Sequence, residues 1–373
     1  MRGTLIALCL AAAVPAAYAD SDNTIDCSRK SLADAIRRAE DDRDANQTIR
    51  FTGVCGPVVI KVDGIELTGV GAAVIDGGAA ADAVAVQGAS RVSIAGAEIR
   101  NGINGISAIN GAHISLTNVN VHDNFVHGLT VETGSSALVT GTFTSSHNRV
   151  FGINVNGSSI TLAQADATVN GNAVGVQIAT SANAFLNDSA TSITASGNLA
   201  VGLTVVSGAH LVSFGGTIIA SGNPVAGVSV NSKAGLDLDA ASTLDTFNNG
   251  DGLLMQEASV MTVFNNPQFS GVPGFSTINA HDNTGNGVRV QTGSTLTLSN
   301  QAKVVSTGNS KVGLLADNGV GVTLVNSTLT GNATKDLQLT FGARADLVTL
   351  TFGSYACDAT VLVRGTSGIA CPH

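Results

Sequence analysis

The chain has 373 residues, with 18 Lys+Arg against 27 Asp+Glu and a formal net charge of −9. That sign disfavours a nucleic-acid ligand, which needs clustered base to displace counterions from phosphate. Only 12% of residues are charged while 44% are hydrophobic, which excludes a disordered chain, and the 44 glycines follow no three-residue period, which excludes collagen.

Residues 1–19 read as a secretory signal peptide. Met1-Arg2-Gly3 is a short basic start, Thr4 to Val14 is apolar, and Ala17-Tyr18-Ala19 is a small-x-small cleavage site before Asp20. No other segment reaches the roughly 18 continuous apolar residues that a bilayer span needs. The expectation is a secreted or periplasmic protein with no membrane span. Cys27, Cys55, Cys357 and Cys371 follow the leader, and an even count in an exported chain suggests disulfides. Proximity along the chain favours Cys27–Cys55 and Cys357–Cys371. A zinc site is the rival reading, but the four share no close Cys-x-x-Cys spacing.

Residues 20–82 read as an N-terminal cap and first coil. Ser31 opens a helix signal with Asp34 three residues on, and Leu32, Ala35, Ile36 and Ala39 form one apolar face. From 83 to 358 the chain repeats. Asn recurs at Asn101, Asn124, Asn148, Asn172, Asn198, Asn223, Asn249, Asn283, Asn309 and Asn332, at intervals of 23 to 26 residues with one of 34. A Gly and an apolar–x–apolar triplet follow most of them, as in Gly128-Leu129-Thr130-Val131 and Gly202-Leu203-Thr204-Val205. Short alternating stretches separated by turn residues such as Thr133-Gly134-Ser135-Ser136 read as strands. A coil of this length with two or three short strands is a rung of an all-β, single-stranded parallel β-helix of about eleven rungs, plugged by the N-terminal helix. Asn tolerates the left-handed conformation of a tight corner, and its amide can bond its equivalent about 4.8 Å along the axis. Leu129, Ile153, Val176, Leu203, Val228, Leu253, Val288 and Leu314 would stack inward. Residues 359–373 form the C-terminal cap.

The N-terminal pattern carries a short helix, then Gly53-Val54-Cys55-Gly56, Val58-Val59-Ile60, Ile65-Glu66-Leu67-Thr68-Gly69 and Val74-Ile75-Asp76-Gly77. Together with the Asn–x–x–x–Gly repeat it resembles the pectin-lyase-like superfamily of right-handed parallel β-helix repeat proteins, over residues 31 to 358. The resemblance implies fold rather than activity, because the same solenoid serves lyases, hydrolases, epimerases, adhesins and tailspikes. Its enzymes place acids and bases on outward positions of neighbouring rungs. Here the outward series of one strand position runs Ser107, Thr130, Asn154, Gln177, Thr204, Ser229, Leu254, Arg289, Leu315, Gln338 and contains no carboxylate. Glycoside hydrolysis needs two carboxyls about 5–10 Å apart. The Asn-Thr-Asp and Gly-His-Gly signatures of polygalacturonase-like members are also absent.

Three features could carry chemistry. His122, Asp123 and His127 precede His147 and Arg149 by one rung, an acid/base or anion group if they converge; the competing reading is ordinary corner residues. His281-Asp282-Asn283 repeats the pattern without an obvious partner. Asp237 and Asp239 alternate outward beside Asp245 and Asp251 and could hold calcium, the one cofactor the sequence suggests, or form a solvated strand face. The long rung inserts a loop carrying Phe269 and Phe275, either a ligand contact or a tolerated insertion. The sequence therefore favours a non-catalytic exported structural or polysaccharide-interacting protein. The alternative is a polysaccharide lyase or glycoside hydrolase using the His122 group.

Overall fold

The computed structural model describes residues 24–42, 47–299, 301–365 and 368–372, and of residues 42, 268 and 269 the backbone only. The expected signal peptide at 1–19 lies outside the described residues. All strand pairs are parallel, and each coil gives one strand to a 13-stranded sheet and one or two to a 23-stranded sheet. The molecule is a right-handed parallel β-helix of thirteen turns rather than about eleven. The Asn register begins too late to count them all: Val58–Ile60 already pairs with Val84–Gln87.

Helix α1, Leu32–Asp42, covers the N-terminal end. The Ser31 Oγ caps it by accepting the Asp34 N–H at 3.1 Å, while the Asp34 carboxylate turns to Arg37. Leu32, Ile36 and Ala39 are buried, and Cys27–Cys55 staples the segment to the first coil. A second disulfide, Cys357–Cys371, ties the final residues back, with Ile369 packed against the core.

The repeated Asn has a different role from the one its turn propensity suggests. The left-handed corner is the residue before it: Asp123 (φ 55°), His147 (φ 54°), Gly171 (φ 65°), Asn248 (φ 55°) and Asp282 (φ 53°). The Asn itself points inward and is almost fully buried from Asn124 through Asn309. From Asn148 on, each Oδ1 accepts two donors from the Asn one coil earlier, its backbone N–H and its Nδ2. For Asn124 on Asn148 these are 3.1 and 2.8 Å, and for Asn223 on Asn249 both are 3.0 Å. The Asn-to-Asn bonds all run toward the C-terminus, while Nδ2 of Asn172, Asn198 and Asn223 also donates back to a strand carbonyl of the coil before, so the series has to end on an acceptor. Asn332 donates to Asp336 Oδ1 at 3.1 and 2.9 Å, while Oδ2 accepts the Gly353 and Ser354 N–H groups. Burial pushes the Asp336 carboxyl up, but these hydrogen bonds outweigh it and hold it below the usual range.

Asn101 does not belong to this series. It sits at the left-handed position, φ 54°, and donates to Asp76, while Gly102 N–H donates to Asn124 Oδ1. The Gly that opens each apolar triplet serves the same ladder. A Cβ at Gly202 would lie 2.8 Å from Nδ2 of Asn223 on the next coil and 2.7 Å from the Gly227 carbonyl oxygen, and Gly128, Gly152, Gly175 and Gly287 meet the next coil's Asn as closely. In the Asn–x–x–x–Gly pattern the Gly is thus the seat for the buried Asn of the following coil.

A substitution of Asn198 by Ala strands the Asn172 N–H, removes one acceptor of Asn172 Nδ2 and one donor to Asn223 Oδ1, and should lower the unfolding free energy by on the order of 3 kcal/mol. Gly202→Ala should cost about 1–3 kcal/mol by overpacking. Chemical denaturation of both variants beside the parent checks this, and the exposed Thr142→Ala serves as the neutral control.

Candidate functional site

The 13-stranded sheet presents the outward series that lacks carboxylates, and much of it is buried: Ser107, Thr130, Asn154 and Ser229 are each under 5% exposed. Thr130, Glu132, Asn154 and Gln177 bond one another across coils there. A denser group of acids and bases lies on the 23-stranded sheet, where strands approach the Asn corner. There Asp76, Arg100 and His122 are aligned in one column over three coils.

His122 is held between two carboxylates. Its Nδ1 lies 2.7 Å from Asp123 Oδ2, and its Nε2 lies 3.3 Å from Glu98 Oε1 on the previous coil. Arg100 divides itself between Glu98 at 2.8 Å and Asp76 at 3.2 Å, and Asn101 Nδ2 also reaches Asp76 at 2.8 Å. Burial raises the Asp76 carboxyl, but hydrogen bonds from Asn101, Gly78 and Arg100 prevail and hold it below the ordinary range. The same construction recurs at His281, which reported no partner in the sequence. Its Nδ1 lies 2.8 Å from Asp282 Oδ2, its Nε2 lies 3.3 Å from Asp245 on the previous coil, and its ring stacks on Phe247 at 5.2 Å.

The five residues grouped from the sequence divide among four places. His122 and Asp123 stay together. His147 follows Asp123 in register but leans over Gly171 on the next coil, and no hydrogen bond or ion pair joins the two among the described residues. His127 lies across the corner on the 13-stranded sheet, stacked on Phe151 at 5.0 Å, with its Nδ1 buried and without a hydrogen-bond partner. Burial pushes His127 down, against the pull of Glu132 and Asp82. Arg149 stacks over the half-exposed Phe125 ring at 4.4 Å.

Asp237 and Asp239 have separate partners. Asp237 lies 3.1 Å from His210 Nε2, which reaches across Gly235 from the previous coil, and Asp239 accepts the Ala240 N–H. Asp251 accepts the N–H and Nδ2 of Asn286 and faces Arg289. Among the described residues no three His, Cys, Asp or Glu side chains gather as a metal site. In the inserted loop, buried Asn265 donates to the Val272 and Gly274 carbonyls and fixes its course. Phe275 is 42% exposed with Lys303 Nζ 5.4 Å from its ring centre, whereas the side chain of Phe269 lies outside the described residues.

Fold and site together define a parallel β-helix protein with repeated histidine–carboxylate clasps between coils. No protein-family model matches the chain, and no curated protein matches it in sequence. Solved structures do. The A-module of the Azotobacter vinelandii mannuronan C-5 epimerase AlgE4 aligns at a TM-score of 0.51 and 14% identity, over 91% of this chain and 92% of that one. The A-module of AlgE6 from the same organism gives 0.46 and 14%, over 91% and 99%. PfbA, a surface adhesin of Streptococcus pneumoniae, gives 0.40 and 10%, over 91% and 93%. At these identities the likeness is one of fold.

The His210–Asp237 clasp predicts a pH dependence. The Asp237 hydrogen bond raises the His210 pKa above its ordinary 6.5, partly offset by burial. A raised folded-state pKa stabilises fully below 6.5 and loses that contribution as pH rises through the higher folded value. The melting-temperature gap between the parent and His210→Ala should therefore be wider at about pH 5.5 than at about pH 8.5. Thermal scans at both values check the sign.

Proposed function

We propose that the chain is an exported, non-catalytic β-helix protein that engages polysaccharide. One observation carries the non-catalytic part: the acids, base and cation of the His122 group are spent on one another. Arg100 is shared between Glu98 and Asp76, and both nitrogens of His122 end on carboxylates. Lyase chemistry needs a cation free to neutralise a uronate and a base free to take a proton. Polysaccharide as partner is supported by the fold likeness to a mannuronan C-5 epimerase module and by the many outward hydroxyl and amide groups. Two disulfides, and no helix among the described residues long and apolar enough to cross a membrane, fit a secreted or periplasmic setting. Of the two Asp237 oxygens, Oδ2 already faces His210 Nε2.

The second reading, a lyase or glycoside hydrolase, rests on the Glu98–His122–Asp123 arrangement, an imidazole between two acids. One experiment separates them. The protein without residues 1–19 is incubated with acidic and neutral polysaccharides, with and without calcium, and reducing ends and unsaturated products are followed. The expected result is retention by polymer without product. Cleavage that His122→Ala abolishes would establish the enzyme.

A further inference from the structure

The 23-stranded sheet carries a face whose outward side chains form a two-dimensional array. Its central column is Thr144, Thr168 and Thr194 on three successive coils. Beside it runs Ser146, Asn170, Ser196 and Ser221. On the other side stand Thr142, Ser192 and Thr217, interrupted by Asp166. Alternate residues along a strand share a face and repeat about every 6.6 Å, and coils repeat about every 4.8 Å. The array is bounded by the two histidine clasps. His122 heads the Ser146 column, and Phe247 and His281 end it, six coil steps or about 29 Å away.

We infer that this face, between His122 and His281, is the track on which an extended, uncharged polysaccharide lies. This rests on the polysaccharide reading proposed above and adds the place and the class of glycan. Two arguments select the occupant. Hydroxyls and amides can both donate and accept, as sugar hydroxyls do, so a neutral chain finds partners in either orientation. Charge argues the same way. Between the clasps the three columns hold carboxylates at Asp166 and Asp245 but no Lys or Arg, on a chain of net charge −9. A polyuronate laid there would meet like charge and no cation. Part of the array is already bonded internally, with Ser192 Oγ donating to Asp166 at 2.7 Å and Ser196 Oγ 2.9 Å from Ser221 Oγ. Such bonds fix hydroxyl positions before a ligand arrives and lower the ordering cost of binding.

The test is affinity electrophoresis of the protein without residues 1–19. Hydroxyethylcellulose, galactomannan and dextran serve as neutral polymers, and polygalacturonate and alginate as acidic ones. Thr168→Arg and Thr194→Arg each place a bulky side chain on the track, and Thr323→Arg, on the adjoining face, is the control. Circular dichroism and melting confirm that each variant folds. The inference predicts retention by at least one neutral polymer, weakened about tenfold by either track variant and unchanged by the control. Retention by acidic polymers alone, or neutral retention that both track variants leave intact, would overturn the track while leaving the polysaccharide reading standing. No retention by any polymer would overturn both.

Discussion

The asparagine ladder is the constraint from which the rest of this structure follows. From Asn148 on, each buried amide oxygen accepts two donors from the Asn before it, and each Asn passes its N–H and one Nδ2 proton to the ladder residue after it. A buried amide with an open valence is costly, so no coil can drop its Asn without leaving its neighbour unsatisfied. The ladder's direction explains both ends: Gly102 N–H opens it, and the Asp336 carboxylate, which has no proton to donate, closes it. Its bulk explains the Gly that opens each apolar triplet, since a Cβ there would collide with the amide nitrogen. Its corner explains why the preceding residue is Gly, Asn, Asp or His, the types that occupy positive φ.

That corner also decides which charged side chains meet. The last outward residue of each strand reaches along the axis to the previous coil, while the left-handed residue beside it turns to the nearer nitrogen of the same imidazole. Glu98, His122 and Asp123 follow this rule, and so do Asp245, His281 and Asp282. The two clasps are the same local solution, reached wherever a His precedes a left-handed Asp and a carboxylate lies one coil back. They fasten neighbouring coils at the edge of a sheet whose interior is already fastened by the ladder.

Most of the fold was legible because its signals are periodic. The coil length, the stacked Leu129, Ile153 and Leu203, the plugging helix behind Ser31 and the local cysteine pairs all appear in the spacing of residue types. What was hidden depends on register to a single residue. Counting Asn101 as the first ladder member placed it one position late, which concealed that Asp76, Arg100 and His122 share a column. The second corner of each coil was also obscured. Ser136–Ser146 runs as one bent strand, with a register shift between Thr140 and Phe143 against its neighbour, where alternation alone suggests two separate strands. His127 and Arg149 looked like companions of His122 because they are near in sequence. The tight turn at Asn124 sends His127 to another sheet, and Phe125 takes the Arg149 guanidinium.

The most direct test of this account is hydrogen exchange of the asparagine side-chain amides, followed by NMR on selectively labelled protein. If the ladder holds the coils together, the Nδ2 protons of Asn148, Asn172, Asn198, Asn223 and Asn249 should exchange only as slowly as the core strands open. Asn187, on a corner loop and outside the ladder, should exchange quickly. Fast exchange of the ladder amides while the strand N–H groups stay protected would contradict the account.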